Sequence, residues 1–317
     1  MPPAPPAMVA PMTAQLTPSA PANGLLAANL ICMGSMLIWA AGLPAADLII
    51  PLMPGDQLTA LRMGLAALAL LPLWALLDGP GALFRVNWVK GIAVGAMIGF
   101  GAWLLILGQA RGGAVTAAVI SSTLPVVGIA LEVALDGRRV TAGLIVGLVL
   151  SLIGGMMALD FKGGMSMGMG ALLCFGSVVS FAVGSRLTVT AFPALTPTGR
   201  TALTITGAAL ATCAVALAGI ALGTPAPDLS GWGWQEAGAL LLFSVGSLGL
   251  SQLMWIMSVE RLGIGLSALH INAAPFYVMI ILFAFGAPWN WPQAGAAALV
   301  GLGVLLAQGI IPLGRRA

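Results

Sequence analysis

Charge is scarce in this sequence. Lys, Arg, Asp and Glu make up 7% of the 317 residues, against roughly 25% in an average soluble domain, too few to cover the surface of a water-soluble globule. There is one histidine and one tyrosine, and the three cysteines, Cys32, Cys174 and Cys213, all fall inside apolar runs. That pattern offers no disulfide framework and no metal-ligand spacing. No HExxH, no glycine-rich phosphate loop after a strand and no Ser-His-Asp order is present, so no catalytic residue is assigned and neither an enzyme, a metal nor a cofactor is expected. The net charge of +3 is small and scattered, which argues against a nucleic-acid partner.

Apolar residues fill the gap: 60% of the chain is hydrophobic, with a mean hydropathy of +1.06. Long apolar runs broken by short turns are what a hydrocarbon core about 30 Å thick asks of helices that rise about 1.5 Å per residue. Ten such spans are predicted, near 25–48, 57–77, 89–110, 112–135, 141–160, 168–191, 198–222, 236–258, 263–286 and 292–312. The fold class expected is all-α, a polytopic membrane protein of ten transmembrane helices with the lipid bilayer as its surroundings. Residues 1–24, rich in proline and without Lys or Arg, are expected to form a disordered tail rather than a signal peptide.

Basic residues orient the spans, because they are retained on the cytoplasmic side. With a cytoplasmic amino terminus, nine of the twelve Lys and Arg fall inside, and Arg62, Arg111 and Lys162 fall outside. Both termini are therefore expected in the cytoplasm. Trp74, Trp88, Trp232, Trp234, Trp289 and Trp291 sit at span ends as an interfacial belt. Trp39, Trp103 and Trp255 lie inside spans.

One stretch is written twice. "LICMGSMLIWAAG" (30–42) matches "LLCFGSVVSFAVG" (172–184) at six of thirteen positions, with Trp39 opposite Phe181. Other landmarks recur in the same order: Arg62 with Arg200, Pro125 with Pro275, Gly147 and Gly155 with Gly295 and Gly303. Five spans make one unit, and five is odd, so the second copy enters from the opposite face. This predicts an inverted repeat, 25–161 and 162–317, within one membrane domain, a plan used by secondary transporters for alternating access. The Gly-rich spans five and ten read as close-packed scaffold.

The chain resembles the drug/metabolite transporter superfamily, in particular its ten-helix EamA-type carriers, on "MLIWAAG", "ALRMGLAALALLPL", "LLILGQARGGAVTAAVISSTLPVVGIAL", "GALLCFGSVVSFAVGSRL" and "LMWIMSVERLGIGLSALHINAAPFYVMIIL". It departs from such carriers in the turns after spans four and nine, where a Glu is common, and in carrying Phe181 where a Trp is frequent. Within the superfamily it is most similar to amino-acid exporters of the YddG type. The resemblance implies export of small metabolites, amino acids among them, across a bacterial cytoplasmic membrane. A channel or a lipid scramblase is the alternative.

The candidate substrate site follows from depth. Pro125 and Pro275 fall near mid-membrane, where a proline bends its helix and frees a carbonyl. Ser121, Ser122, His270 and Asn272 cluster just before them. The serines have a second role available, bonding back to their own helix, and His270 fits a hydrogen bond between helices as well as a cavity contact. Trp39, Trp103, Phe181, Trp255 and Tyr277 suit either an apolar basket or helix packing, and Gln252 shares a helical face with Trp255. Apart from Glu132 and Arg186, no ionised side chain is expected deep in a span, which favours facilitative transport of a small-molecule substrate. No oligomer is implied.

Overall fold

The computed structural model describes residues 22–137, 140–157, 165–227, 229–307 and 311, all helix, turn or irregular chain and no strand. Most of the predicted tail, residues 1–21, lies outside the described residues. The α-helices are α1 (Ala22–Ile49), α2 (Gly55–Asp78), α3 (Trp88–Ser121), α4 (Leu124–Asp136), α5 (Ala142–Met157), α6 (Met165–Ala191), α7 (Pro197–Ala221), α8 (Trp234–Leu241), α9 (Ser251–Ile271), α10 (Ala274–Ala284) and α11 (Trp291–Ala307). A π-helical segment, Leu242–Leu250, joins α8 to α9. Six stretches among the described residues are long and apolar enough to cross a bilayer: Leu26–Leu52, Gly55–Asp78, Trp88–Ser121, Gly168–Ala191, Pro197–Ala221 and Trp234–Ser258. Shorter apolar helices supplement them, and the protein is a polytopic helical membrane protein.

Local chemistry sets several helix starts. The side chain of Asn87 accepts from the Lys90 amide at 2.9 Å to open α3, and that of Thr196 accepts from the Gly199 amide at 3.1 Å to open α7, with Pro197 at the first helical position. Positive-φ glycines follow α2 (Gly79, 83°), α4 (Gly137, 68°), α7 (Gly223, 104°) and α10 (Gly286, 91°).

Two breaks are added to the predicted boundaries. The turn expected between spans three and four is Gly113, at φ 75° and ψ 170°, a non-helical residue inside "QARGG" where two helical stretches of α3 meet at a kink. The segments on either side of the turn expected between spans eight and nine lie together: Trp255 and Ile271, which a straight helix would hold roughly 24 Å apart, share one small core with Cys32. The helical hydrogen-bonding pattern of α9 nevertheless runs to Ile271. The added breaks are the two-residue steps Ser122–Thr123 and Asn272–Ala273. Their cause is Pro125 and Pro275. Each lacks an N–H, and its ring crowds the carbonyl four residues back, which is Ser121 in one case and Ile271 in the other, the last residues of α3 and α9.

The helices pair closely as α3 with α6 and α7, α2 with α7, α1 with α9 and the π segment, and α5 with α11. Small residues make this possible, since apolar burial in lipid does little to drive association. A Cβ on Gly95 would collide with the backbone of Thr204, Gly207 and Ala208 in α7, and one on Gly207 with the backbone of Gly91 and Ile92 in α3. In the α5–α11 pair the approach is carried by Gly143, against the Leu306 carbonyl, and Gly154, against Ala296 and Val300. Gly295, expected to share that task, has nothing within 4 Å of its Cβ position.

One interfacial assignment changes. Trp74 is fully buried, with its Nε1 donating to Asp78 Oδ2 at 3.0 Å and its ring 6.5 Å from that of Trp88. The contact with α7 at Gly199 takes the ring out of the lipid-facing belt. Trp234 and Trp291 stay exposed.

Candidate substrate cavity

The breaks and the duplicated segments converge on one cavity, about 800 Å3 of empty space including its mouth. It lies between α1, α2, α3, α6, the π segment and α9, with Leu124 of α4 at its edge. Met36 and Trp39 come from α1, Phe181 and Val178 from α6, and Trp255 and Ile271 from α9, giving a wall that is mostly apolar and aromatic. The lining suits a small organic molecule held by a few placed polar groups.

Those polar groups are Arg62, Ser121, Ser177, Ser247, Ser251 and Gln252. The serines also tie the wall together. Ser35 Oγ donates to the Ser251 carbonyl at 2.7 Å, and Ser247 Oγ donates to the Trp39 carbonyl at 3.1 Å. Both bonds join α1 to the chain around the π segment, where Gly42 lets the Ser247 side chain press against the α1 backbone. A π turn widens the helix and re-aims its side chains; here it puts Ser247 and Leu248 on the cavity.

Five of the ten predicted substrate residues line the cavity: Trp39, Ser121, Phe181, Gln252 and Trp255. The other five sit elsewhere. Ser122 is fully buried with its hydroxyl donating back to the Ala118 carbonyl at 3.1 Å. Trp103 stacks at a tilt on Phe100, ring centroids 6.0 Å apart. Tyr277 packs behind Met36 and Trp255 in the small core that also holds Cys32. His270 is half-buried at the end of α9 and outside the lining. Asn272 turns towards Gly301 of α11, with Oδ1 buried and without a hydrogen-bond partner. Pro125 and Pro275 are the second residues of α4 and α10, just past each break.

Arg62 corrects a second expectation. It was placed near the start of its span, on the outer side, but α2 begins at Gly55, which sets Arg62 seven residues and roughly 10 Å inward. It is 2% exposed. Its Nε donates to the Phe243 carbonyl at 3.1 Å, and its guanidinium lies 3.8 Å from the centre of the Phe243 ring. An ionised side chain therefore does lie deep within the fold. Of the two charges expected there, Arg186 is half-buried on α6 and the Glu132 side chain lies outside the described residues.

The sequence reasoning also missed Ser177 and Ser251. Ser177 was visible as the partner of Ser35 in the duplicated stretch, since both copies place a serine on the face that turns inward. Ser251 and Ser247 carried no such signal, because their position depends on the π segment.

Residues 26–159 match the EamA-like transporter family. This EamA-like segment covers the helices α1 to α5, including Trp39, Arg62 and Ser121. The chain is also 36% identical over 74 residues to an uncharacterized transporter, YyaM, of Bacillus subtilis (strain 168); the match covers 23% of this chain and 24% of that protein. In that alignment the chain spans about a quarter of the curated relative's length. A solved crystal structure of another protein shares the fold, with a TM-score of 0.63 at 22% identity over 89% of this chain and 96% of the other.

Proposed function

We propose that this EamA-like protein is a secondary transporter that exports small metabolites of the amino-acid class across a bacterial cytoplasmic membrane by alternating access. The observation that carries the reading is a half-enclosed, largely apolar cavity walled by helices from both halves of the chain, at the level where α3 and α9 break. A scaffold or anchor has no use for such a chamber. The carbonyls of Ser121 and Ile271, deprived by Pro125 and Pro275 of their usual helical donors, lie on lining residues and suit a substrate ammonium group.

Alternating access asks for two units that exchange roles, 25–161 and 162–317. Several features support that pairing. The breaks at 122–123 and 272–273 are 150 residues apart, and the positive-φ glycines pair as Gly79 with Gly223 and Gly137 with Gly286. Exchanging the units turns the α3–α6 contact into contact of α1 with the chain from α8 into α9. It turns α3–α7 into the π segment with α2, and it leaves α2–α7 and α5–α11 unchanged. The family match over 26–159 coincides with the first unit.

Among the described residues the lining holds no Asp or Glu to carry a coupled proton or cation. Facilitative exchange is therefore the mechanism. Purified protein in liposomes loaded with unlabelled amino acid should accumulate labelled amino acid by counterflow with no ion gradient. Uptake that requires a proton gradient removes the facilitative mechanism, and flux without saturation, or lipid translocation in its place, makes the protein a channel or a scramblase.

A further inference from the structure

We propose that Arg62 is the anchor for an anionic head group, so that the cavity selects organic molecules carrying a carboxylate on an apolar body; this rests on the transporter reading above. Arg62 is 2% exposed, lines the cavity, and makes one hydrogen bond, from Nε to the Phe243 carbonyl at 3.1 Å. That bond and the Phe243 ring, 3.8 Å from the guanidinium carbon, fix the plane of the group. Among the described residues the two terminal nitrogens donate to nothing else. Among the described residues no carboxylate pairs with Arg62, and none lines the cavity.

An unpaired buried cation is costly unless something supplies the counter-charge. A guanidinium held at Nε presents its remaining donors as a fork, and that fork matches a carboxylate in a bidentate way. The chain itself shows the contrast. Arg200, the counterpart of Arg62 in the second unit, uses Nε on the Phe192 carbonyl at 2.9 Å and Nη2 on the Pro193 carbonyl at 2.8 Å. Its donors are spent on holding the loop before α7, whereas those of Arg62 are left for a ligand. Met36, Trp39, Phe181 and Trp255 supply surface for an apolar body, which favours an organic anion or zwitterion over a bare inorganic ion.

Four probes with one ring and different heads test this on the purified full-length chain: phenylacetate, phenylalanine, phenylacetamide and phenethylamine. Binding is read from tryptophan fluorescence, since Trp39 and Trp255 line the cavity. Phenylacetate and phenylalanine should bind about tenfold or more tighter than phenylacetamide, with phenethylamine weakest. Arg62→Gln should erase that ranking, and Arg62→Lys, which keeps the charge and loses the fork, should retain part of it. Equal affinity for the acid and its amide in the wild-type protein overturns the proposal, as does the absence of binding by any probe, or an unchanged ranking in Arg62→Gln. The wild-type comparison decides even where a variant fails to fold. Counterflow scores the transport reading separately: head-selective binding without exchange removes transport and leaves the anion site, and exchange blind to the head group does the reverse.

Discussion

At the scale of single residues, the cavity wall depends on one place where a side chain has no room. A Cβ on Gly42 would overlap the side chain of Ser247, whose hydroxyl holds the Trp39 carbonyl. Gly42→Ala should therefore destabilise the protein by about 1–3 kcal/mol, the usual range for overpacking. Adding Ser247→Gly should recover most of the loss. Thermal unfolding in detergent measures both, and a Gly42→Ala protein that melts with the wild type would mean that α1 and the π segment are not pressed together. Trp39 and Asn272 separate a lining residue from one that only shares its depth. Removing the Trp39 ring should raise the half-saturation concentration for counterflow by about tenfold, since an aromatic wall contributes on the order of 1 kcal/mol beyond its burial. Asn272→Ala should leave that constant unchanged, because its side chain lies beside Gly301 of α11 and outside the cavity lining.

Among elements, the pairing of α3 with α7 is the contact with least slack, since backbone meets backbone at Gly95 and Gly207. Gly95→Ala has no flexible neighbour to yield and should lower stability by more than the Gly42 change. Gly64→Ala, on α2 with open space around its Cβ position, should be neutral or stabilise by up to about 1 kcal/mol through helix propensity. Unfolding curves for the two variants that failed to diverge would contradict this packing. The breaks before Pro125 and Pro275 were legible in the sequence because their cause is local: a missing N–H and a ring act on the residue four positions back. The π segment was not legible, because nothing local in "LFSVGSLGL" marks it. Arg62 was misplaced for a related reason. Its depth follows from where α2 starts, and its partner Phe243 is 181 residues away along the chain. Half of the predicted substrate residues reach the cavity because a mid-span position fixes depth but not direction: Trp39 and Trp103 are both mid-span, and only one turns inward.

At the scale of the whole molecule, oppositely inserted units would put corresponding loops on opposite sides of the membrane. The loops after α2 and α7, marked by Gly79 and Gly223, are such a pair. With the amino terminus in the cytoplasm, the first belongs inside and the second outside. Phe84, 86% exposed, and Leu222, 89% exposed, offer reporters near each, and the native cysteines are buried or half-buried and can be replaced. In intact cells a membrane-impermeant thiol reagent should label Leu222→Cys, and should label Phe84→Cys only after the membrane is opened. The reverse pattern would invert the protein without harming the repeat. Labelling of both from the same side would break the repeat, because a chain whose two units face the same way has no second open state for the cavity to adopt.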